Sequence, residues 1–282
     1  MEAEIPVGSD AERPHGAGVA SRRPLPQRWL IRLGRWGEGV ARHIGQMAGI
    51  VWTTIVALFT GAIPFRAVTR ELYAMGVQSL PIITVTGLLS GIVTSQQGGY
   101  QFTGSVPLYV LGSVVTSSII LELGPVLTAV VFIGRVGARI TAEIGTMEVS
   151  EQIDALYSLG RHPVRQLVAP RLIAGPIALL LLTAYANTIG IMAGMYTARA
   201  TLGLGYETFI YGVQVFWNTF DIYYSVGKGL VFGFIIPLIA AHMGLRTHGG
   251  AEGVGRATTA SVVFMIMATL VLDAIFPMIF LR

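Results

Sequence analysis

A few ionisable side chains stand inside long apolar stretches of this chain, where they could bind a ligand or carry a proton. Glu122 and Asp273 each lie within an apolar run, and Asp221 and Lys228 are seven residues, or about two helical turns, apart. A charged side chain at the centre of a bilayer costs at least about 2.5–3.5 kcal/mol, so it is normally paired, protonated or turned towards a cavity. These residues therefore mark where a polar site inside a membrane is to be sought.

Two alternatives remain open for each of these groups. Pro125, three residues after Glu122, should weaken the local helix hydrogen bonding and suits a helix that lines a cavity, whereas the alternative is a protonated Glu122 that hydrogen-bonds a neighbouring helix. Lys228 either faces such a cavity or extends to the headgroup layer with Asp221 as a surface partner. A lipid in the cavity needs an apolar wall, and a headgroup phosphate needs one or two basic groups. Plausible wall residues are Leu88, Leu89, Ile92, Phe232 and Ile236.

A charged, helix-forming segment from Glu143 to Gly160 connects two apolar runs. Its apolar residues fall on one helical stripe, and Glu148, Glu151 and Asp154 recur every three residues on a different side. Gly160 stands where a helix would end, and a proline follows closely. The pattern predicts a short amphipathic helix. It is either a solvated loop helix or, because both of its ends are tethered, a surface through which a partner moves two membrane helices.

Composition excludes several functions. The chain is 53% hydrophobic and only 12% charged, against a usual charged share of about 25%, which indicates a membrane protein. It has no cysteine, which excludes disulfides, cysteine-ligated zinc and thiol catalysis, and its five histidines lack HExxH spacing. No GxxxxGK[ST] motif is present, so ATP is not bound through that motif. The net charge of +4 does not indicate nucleic acid, because the arginines flank apolar runs without interleaved aromatics.

The distribution of arginines decides how many apolar runs cross the membrane. The six runs cover roughly residues 44–63, 77–98, 106–134, 172–198, 226–245 and 258–281. Lys and Arg collect on the cytosolic side of membrane proteins, and sixteen arginines share one side only if run 44–63 does not cross. We therefore expect an all-α membrane protein with five spans, a cytosolic N terminus and a C terminus on the outer side.

The residues before the first span are expected to lie outside the bilayer core. Residues 1–27 are rich in Pro, Gly, Ala and Arg and predict a disordered cytosolic tail. Residues 29–63 combine tryptophan and arginine with an apolar second half, as in a helix that lies in the headgroup layer and dips into the bilayer. The alternative is an ordinary first span with an atypical topology.

Three pairs of glycines have the GxxxG spacing that lets two helix backbones approach each other. This spacing predicts tight helix packing or a dimer. The pairs are Gly87–Gly91, Gly190–Gly194 and Gly229–Gly233.

A longer series of residues resembles one known family, the MlaE (YrbE) family of ABC-transporter permeases, which serve lipid transport with MCE proteins. The resemblance covers about residues 29–282 and omits only the tail. The residues that carry it are Glu122-Leu123-Gly124-Pro125-Val126, Gly134-Arg135-Val136-Gly137, Ala142-Glu143-Ile144-Gly145-Thr146-Met147, Glu151-Gln152-Ile153-Asp154-Ala155-Leu156, Pro163, Pro170-Arg171 and Gly255-Arg256-Ala257-Thr258-Thr259.

The resemblance implies a permease domain over residues 28–282, with an interfacial helix and five membrane helices in the inner membrane of a bacterium. It implies a homodimer bound to two cytosolic ATPase subunits, which hold ATP and Mg²⁺, while this chain holds no cofactor and is not an enzyme. A hexameric MCE protein would lie on the periplasmic face. The expected cargo is phospholipid or a related lipid that moves between the inner and outer membranes.

The resemblance also implies roles for particular residues. The Glu143–Gly160 segment would be the coupling helix in a cleft of the ATPase, with contacts from Glu143, Glu148, Glu151, Gln152 and Asp154. In relatives, the residues that match Glu122, Asp221 and Lys228 lie at or near the lipid cavity, so these three are expected to bind substrate. Some relatives carry an arginine directly before this glutamate, but Leu121 stands there in this chain, so that basic group is lost.

Three rival functions stay open from the sequence. The first is a membrane enzyme that acts on lipid, and the second is a carrier driven by protons through Glu122 or Asp273. The third is a passive membrane anchor for MCE assembly. Lipid hydrolysis by the purified chain would support the enzyme. Transport under a pH gradient without the ATPase would support the carrier. Transport that survives loss of ATP hydrolysis would support the anchor.

Overall fold

The computed structural model describes residues 25–61, 63–102 and 106–280, and all regular secondary structure in these residues is helical. Short 3₁₀ and π-helical turns join some helices end to end: Val77–Ser79 is a 3₁₀ turn, and Ile119–Leu123, Ile133–Gly137 and Val164–Val168 are π-helical. The α-helices of the described residues are α1 Leu25–Phe59, α2 Phe65–Met75, α3 Leu80–Gln101, α4 Val110–Ser118, α5 Gly124–Phe132, α6 Ala138–Val149, α7 Gln152–Ser158, α8 Ala169–Leu202, α9 Tyr206–Val215, α10 Thr219–Gly244 and α11 Gly250–Phe280.

Five helical segments of the described residues are long and apolar enough to cross a membrane, which confirms the predicted all-α multi-pass architecture. They are Phe65–Gln101, Val110–Val149, Val164–Leu202, Thr219–Gly244 and Gly250–Phe280. Most of them extend beyond the predicted apolar runs. The second span, for example, continues for fifteen residues past the predicted end at 134, and charged residues in the added turns pair with each other, as Arg139 does with Glu143 at 3.7 Å.

The N-terminal helix crosses the boundary between two compact units, which divide after Ile44. In the first unit the described residues form the beginning of α1, where Arg42 pairs with Glu38 one turn earlier at 3.2 Å. The rest of α1 belongs to the second unit, and α1 is not among the five spans. Residues 1–24 of the predicted tail lie outside the described residues, and the helix begins at Leu25, four residues before the predicted start. Its position in the headgroup layer stays a prediction.

Glycines bring the backbones of neighbouring spans into contact, as the GxxxG spacing predicts. A Cβ at Gly91 would collide with the carbonyl oxygen of Gly190, so α3 and α8 approach with no side chain between them. Likewise, a Cβ at Gly175 on α8 would collide with the carbonyl oxygen of Gly233 on α10. The glycine pairs therefore hold α8 between α3 and α10 inside one chain.

The predicted single helix from Glu143 to Gly160 is wrong, because the chain breaks at Ser150 and Glu151. The Ser150 hydroxyl donates to the Thr146 carbonyl oxygen at 2.7 Å, and Glu151 takes a left-handed backbone conformation with φ 60°. The segment therefore consists of the last turns of α6, a sharp turn, and the separate two-turn helix α7.

The predicted end of this segment at Gly160 agrees with the structure. Gly160 has φ 69°, and its N–H donates to the Tyr157 carbonyl oxygen at 2.9 Å. The N–H of Arg161 donates to the Leu156 carbonyl oxygen at 2.9 Å. This pair of hydrogen bonds around a left-handed glycine is the Schellman motif, which terminates a helix.

Candidate functional site

A buried lysine lies at the centre of the polar site. Lys228 belongs to the first half of α10, and its side chain has no solvent exposure. Its Nζ donates to Glu122 Oε2 at 2.8 Å and forms an ion pair with Asp273 Oδ1 on α11 at 2.6 Å. The ring of Tyr224, one turn away on α10, lies 4.8 Å from Nζ. Three spans therefore meet at one ammonium group.

A backbone oxygen completes the surroundings of this ammonium. Lys228 Nζ also donates to the carbonyl oxygen of Leu121 at 3.0 Å. In a regular helix that oxygen would accept from residue 125, but Pro125 has no N–H, so the carbonyl is free. The N–H of Gly124 instead reaches back five residues to Ile119, which makes the π-helical turn that carries Glu122. The sequence prediction that Pro125 weakens the local helix hydrogen bonding agrees with this geometry.

The accessible charge of the site is negative. Two carboxylates face one ammonium, so the cluster carries an excess of one negative charge when both are ionised. Glu122 is 46% exposed while Lys228 is fully buried, with three oxygen atoms within 3.0 Å of its Nζ. The extension of Lys228 to the headgroup layer is therefore wrong, because the side chain is fully buried among these oxygen atoms.

Asp221 does not join this cluster. It lies in the first turn of α10, two turns before Lys228, and lines a separate small concavity with Ser113, Thr116 and Trp217. An acidic side chain in the first turn of a helix is stabilised by the helix dipole, which accounts for its position. The structure brings Glu122 and Lys228 together and adds Asp273, whereas Asp221 lies apart.

A cavity of about 220 Å³ lies beside the cluster, between α8, α10 and the π-helical turn. Ser225, one turn before Lys228, lines it and accepts a hydrogen bond from Asn187 Nδ2 at 3.0 Å. None of the predicted wall residues lines this cavity: Phe232 and Ile236 are buried in the core, Leu88 and Leu89 are exposed, and Ile92 is half-buried. The residues that do line it are Ile120, Leu180, Thr183, Ala184, Asn187, Thr188, Ile191, Ile222, Ser225 and Val226.

The second candidate surface is α7. Its buried residue Ile153 packs into the hydrophobic core, whereas Glu151, Gln152 and Asp154 are exposed and Glu148 is half-buried at the end of α6. Two large apolar side chains next to them, Tyr157 and Leu159, are also exposed. The helix thus presents exposed apolar side chains beside acidic ones, and exposed apolar patches with a polar rim mark interaction sites.

Glu143 lies apart from α7, within α6, where it forms part of an ion-pair cluster. Arg171 at the start of α8 donates to Glu143 Oε2 at 2.6 Å and to Glu71 Oε1 at 3.2 Å. Arg139 pairs with the same two carboxylates at 3.7 Å and 3.4 Å. The cluster contains two arginines and two glutamates, and it joins α2, α6 and α8.

Sequence reasoning missed several of these residues. Asp273 was recognised as a charge inside a span, but nothing in the sequence paired it with Lys228. Glu71 gave no signal, because a single acidic residue near an apolar run is common. Thr183 and Ser225 gave none either, since hydroxyl residues are frequent in membrane helices.

Comparisons with known proteins bear on this arrangement. A family model described as Permease MlaE matches residues 68–279. A probable ABC transporter permease protein of Rickettsia typhi is 35% identical over 223 residues, which cover 79% of this chain and 86% of the relative. A second protein of that description, from Synechocystis, is 38% identical over 211 residues, 75% of this chain and 80% of the relative. The chloroplast protein TRIGALACTOSYLDIACYLGLYCEROL 1 of Arabidopsis thaliana is 32% identical over 233 residues, 83% of this chain and 67% of the relative.

Proposed function

Since this chain belongs to the MlaE family of permeases, we propose that it is the membrane subunit of an ATP-driven lipid transporter. Two copies form the permease, a cytosolic ATPase binds α7, and an MCE-domain protein binds the opposite face. The complex stands in the inner membrane, with the N terminus of this chain in the cytosol, and moves phospholipid between the inner and outer membranes.

The observation that carries this proposal is α7. It is a short helix between two membrane spans, its acidic side chains are exposed, and its buried Ile153 holds it against the core. A soluble partner that grips such a helix moves the two attached spans, because the connections on both sides are only a few residues long. An ATPase that binds here can therefore pass its conformational change into the membrane.

Two observations support a lipid as cargo. The Arabidopsis relative is named after a diacylglycerol lipid. In addition, the cavity beside Lys228 is lined mostly by apolar side chains and lies between membrane spans, where lipid is the surrounding solvent. A half-exposed carboxylate at Glu122 inside a span also favours a water-filled space in front of it. A cavity between two copies of the chain provides that space.

The ATPase contact is testable with a single thiol, because the chain has no cysteine. We expect Asp154→Cys to crosslink to the ATPase subunit when both are expressed together in membranes. The matched control is Glu207→Cys, an exposed acidic position in the first turn of α9, at the other end of α8. Equal crosslinking from both positions, or labelling of Asp154→Cys only from the periplasmic side, would overturn the proposal.

The excess negative charge around Lys228 favours one second candidate, a carrier coupled to protons. Either Glu122 or Asp273 would bind the proton, which would make the cluster neutral. The two functions are separated by reconstitution with an ATPase that cannot hydrolyse ATP. Lipid transfer that persists and follows a pH gradient identifies the carrier, whereas transfer that stops identifies the ATP-driven permease.

A further inference from the structure

Thr183 has a buried hydroxyl without a hydrogen-bond partner among the described residues. Thr183 is only 2% exposed, and it lines the cavity of about 220 Å³ between α8 and α10. Other threonines of α8 donate to the carbonyl four residues earlier, as Thr188 does to Ala184 at 2.9 Å and Thr197 to Ala193 at 2.8 Å. Thr183 does not, and a buried hydroxyl that makes no hydrogen bond is costly. A ligand in the cavity would remove that cost.

Two further polar groups lie at the same cavity. Asn187, one turn after Thr183, uses its Nδ2 to donate to Ser225 Oγ, while its Oδ1 has no partner in the described part of the chain. Ser225 is 3% exposed, and its hydroxyl keeps its own hydrogen for donation because it accepts from Asn187. Two hydroxyl donors therefore stand on facing helices of one cavity.

The remaining lining determines what these donors can bind. Apolar side chains dominate the wall, and Lys228 offers no N–H to it, because its ammonium is surrounded by Leu121, Glu122 and Asp273. A phosphate would therefore bring an uncompensated negative charge into an apolar space. A neutral acceptor attached to a hydrocarbon chain fits instead, since its oxygen accepts from a hydroxyl and its chain contacts the wall.

The cavity is open to the outer surface of the helix pair. Ala184, Thr188 and Ile222 line it and are exposed. A membrane lipid can therefore enter from the side without passing through the core. Ser225 also lies one turn from Lys228, which pairs with Glu122.

We propose that this cavity binds the ester end of one acyl chain of a glycerolipid, with the hydroxyl of Thr183 as a donor to the ester carbonyl oxygen. Ser225 supplies the donor on the facing helix. This inference rests on the proposed lipid transport and adds a chemical preference to it: the site distinguishes ester-linked from ether-linked chains, because an ether lacks the carbonyl.

The test measures that preference on the purified complex with its partner subunits and without ATP. A diacyl phospholipid and the dialkyl ether lipid with the same headgroup and chain lengths compete for binding, and native mass spectrometry gives the bound ratio. We expect the wild-type complex to favour the ester about fivefold, which is the effect of one hydrogen bond. Thr183→Val keeps the side-chain shape and removes the hydroxyl, so the ratio should fall to about one.

The controls separate chemistry from folding. Thr188 lines the same cavity, but its hydroxyl donates to the carbonyl oxygen of Ala184. The ester preference should therefore remain in Thr188→Val. Thr183→Ser keeps the hydroxyl and should also keep the preference. If Thr183→Val does not fold, the wild-type ratio still tests the ester site. A wild-type ratio of one, or a preference that survives Thr183→Val, overturns the ester site alone. A complex that binds neither lipid overturns the proposed lipid cargo.

Discussion

Arg171 and Glu143 form an ion pair of 2.6 Å that joins the start of α8 to α6, across the segment that carries α7. Arg171 also pairs with Glu71 of α2 at 3.2 Å. The two spans that hold α7 are thus linked at its base, and α2, which begins the first span, is linked to both. A displacement of α7 therefore reaches three spans together.

Removal of Arg171 should destabilise the chain measurably. In Arg171→Ala, Glu71 and Glu143 lose their shared buried partner, and we expect a loss of about 1.5–3 kcal/mol, the range for hydrogen bonds to charged groups. The control is Arg256→Ala, because the ion pair of Arg256 with Glu252 is 72% and 83% exposed and should contribute at most about 1 kcal/mol. Thermal unfolding in detergent measures both, and equal shifts in the two variants contradict the prediction.

Loss of the central lysine should have a larger effect. Lys228→Met leaves Glu122 and Asp273 without their cation, and breaking a buried ion pair from one side costs about 3–5 kcal/mol. The unfolding midpoint should fall accordingly, and lipid transfer should stop. A triple variant that also carries Glu122→Gln and Asp273→Asn removes all three charges and should recover most of the stability. If the triple variant is no more stable than Lys228→Met, the ion pairs do not explain the loss.

The half-exposed carboxylate should select against negatively charged lipids. Glu122→Gln removes the accessible charge, and we expect transfer of a lipid with a net negative charge to rise about tenfold relative to a zwitterionic one, the effect of about 1.4 kcal/mol of repulsion. Asp221→Asn removes a carboxylate two helical turns away and should leave the ratio unchanged. Transfer of both lipids between vesicles by the reconstituted complex gives the ratio, and a shift of the same size in both variants excludes a local effect of Glu122.

The glycine contact between α3 and α8 should tolerate no side chain. In Gly91→Ala the new methyl would collide with the carbonyl oxygen of Gly190, which is backbone and cannot rotate away, so a loss of about 3 kcal/mol or more is expected. Gly134→Ala on the second span is the matched control, because nothing lies within 4 Å of its Cβ and alanine favours a helix by about 1 kcal/mol. The two variants should therefore shift the unfolding midpoint in opposite directions, and a stable Gly91→Ala protein contradicts the packing.

Features that depend on the hydropathy and charge of one segment could be predicted from the sequence, whereas pairings between residues of different helices could not. The hydropathy of each run and the clustering of arginines at particular loops predicted five spans, because both properties are set by the residues of each segment. Which charges meet depends on the rotation and depth of each helix. Lys228 and Asp273 could therefore be recognised as charges inside spans, but not as a pair. Asp221 was grouped with Lys228 because it is close in sequence and because the matching residues of relatives lie near the lipid cavity.

The break before α7 shows the same difference at short range. Ser150 and Glu151 do not interrupt the amphipathic pattern, so the pattern predicted one helix through both residues. The chain turns at Glu151, which takes a left-handed backbone conformation, and Ile153 packs into the core after the turn. The sequence also could not predict that the Thr183 hydroxyl lacks a hydrogen-bond partner, since only the packing of α8 against α10 encloses it.

The glycine contact also limits how this protein can change shape during a transport cycle. Because Gly91 and Gly190 bring two backbones together, neither α3 nor α8 can rotate about its own axis without breaking the contact, so the two must travel as one rigid body. The joint between α10 and α11, where Lys228 meets Asp273, is held instead by contacts between side chains. Opening and closing should therefore be sought as a hinge at that joint, with α3 and α8 moving together.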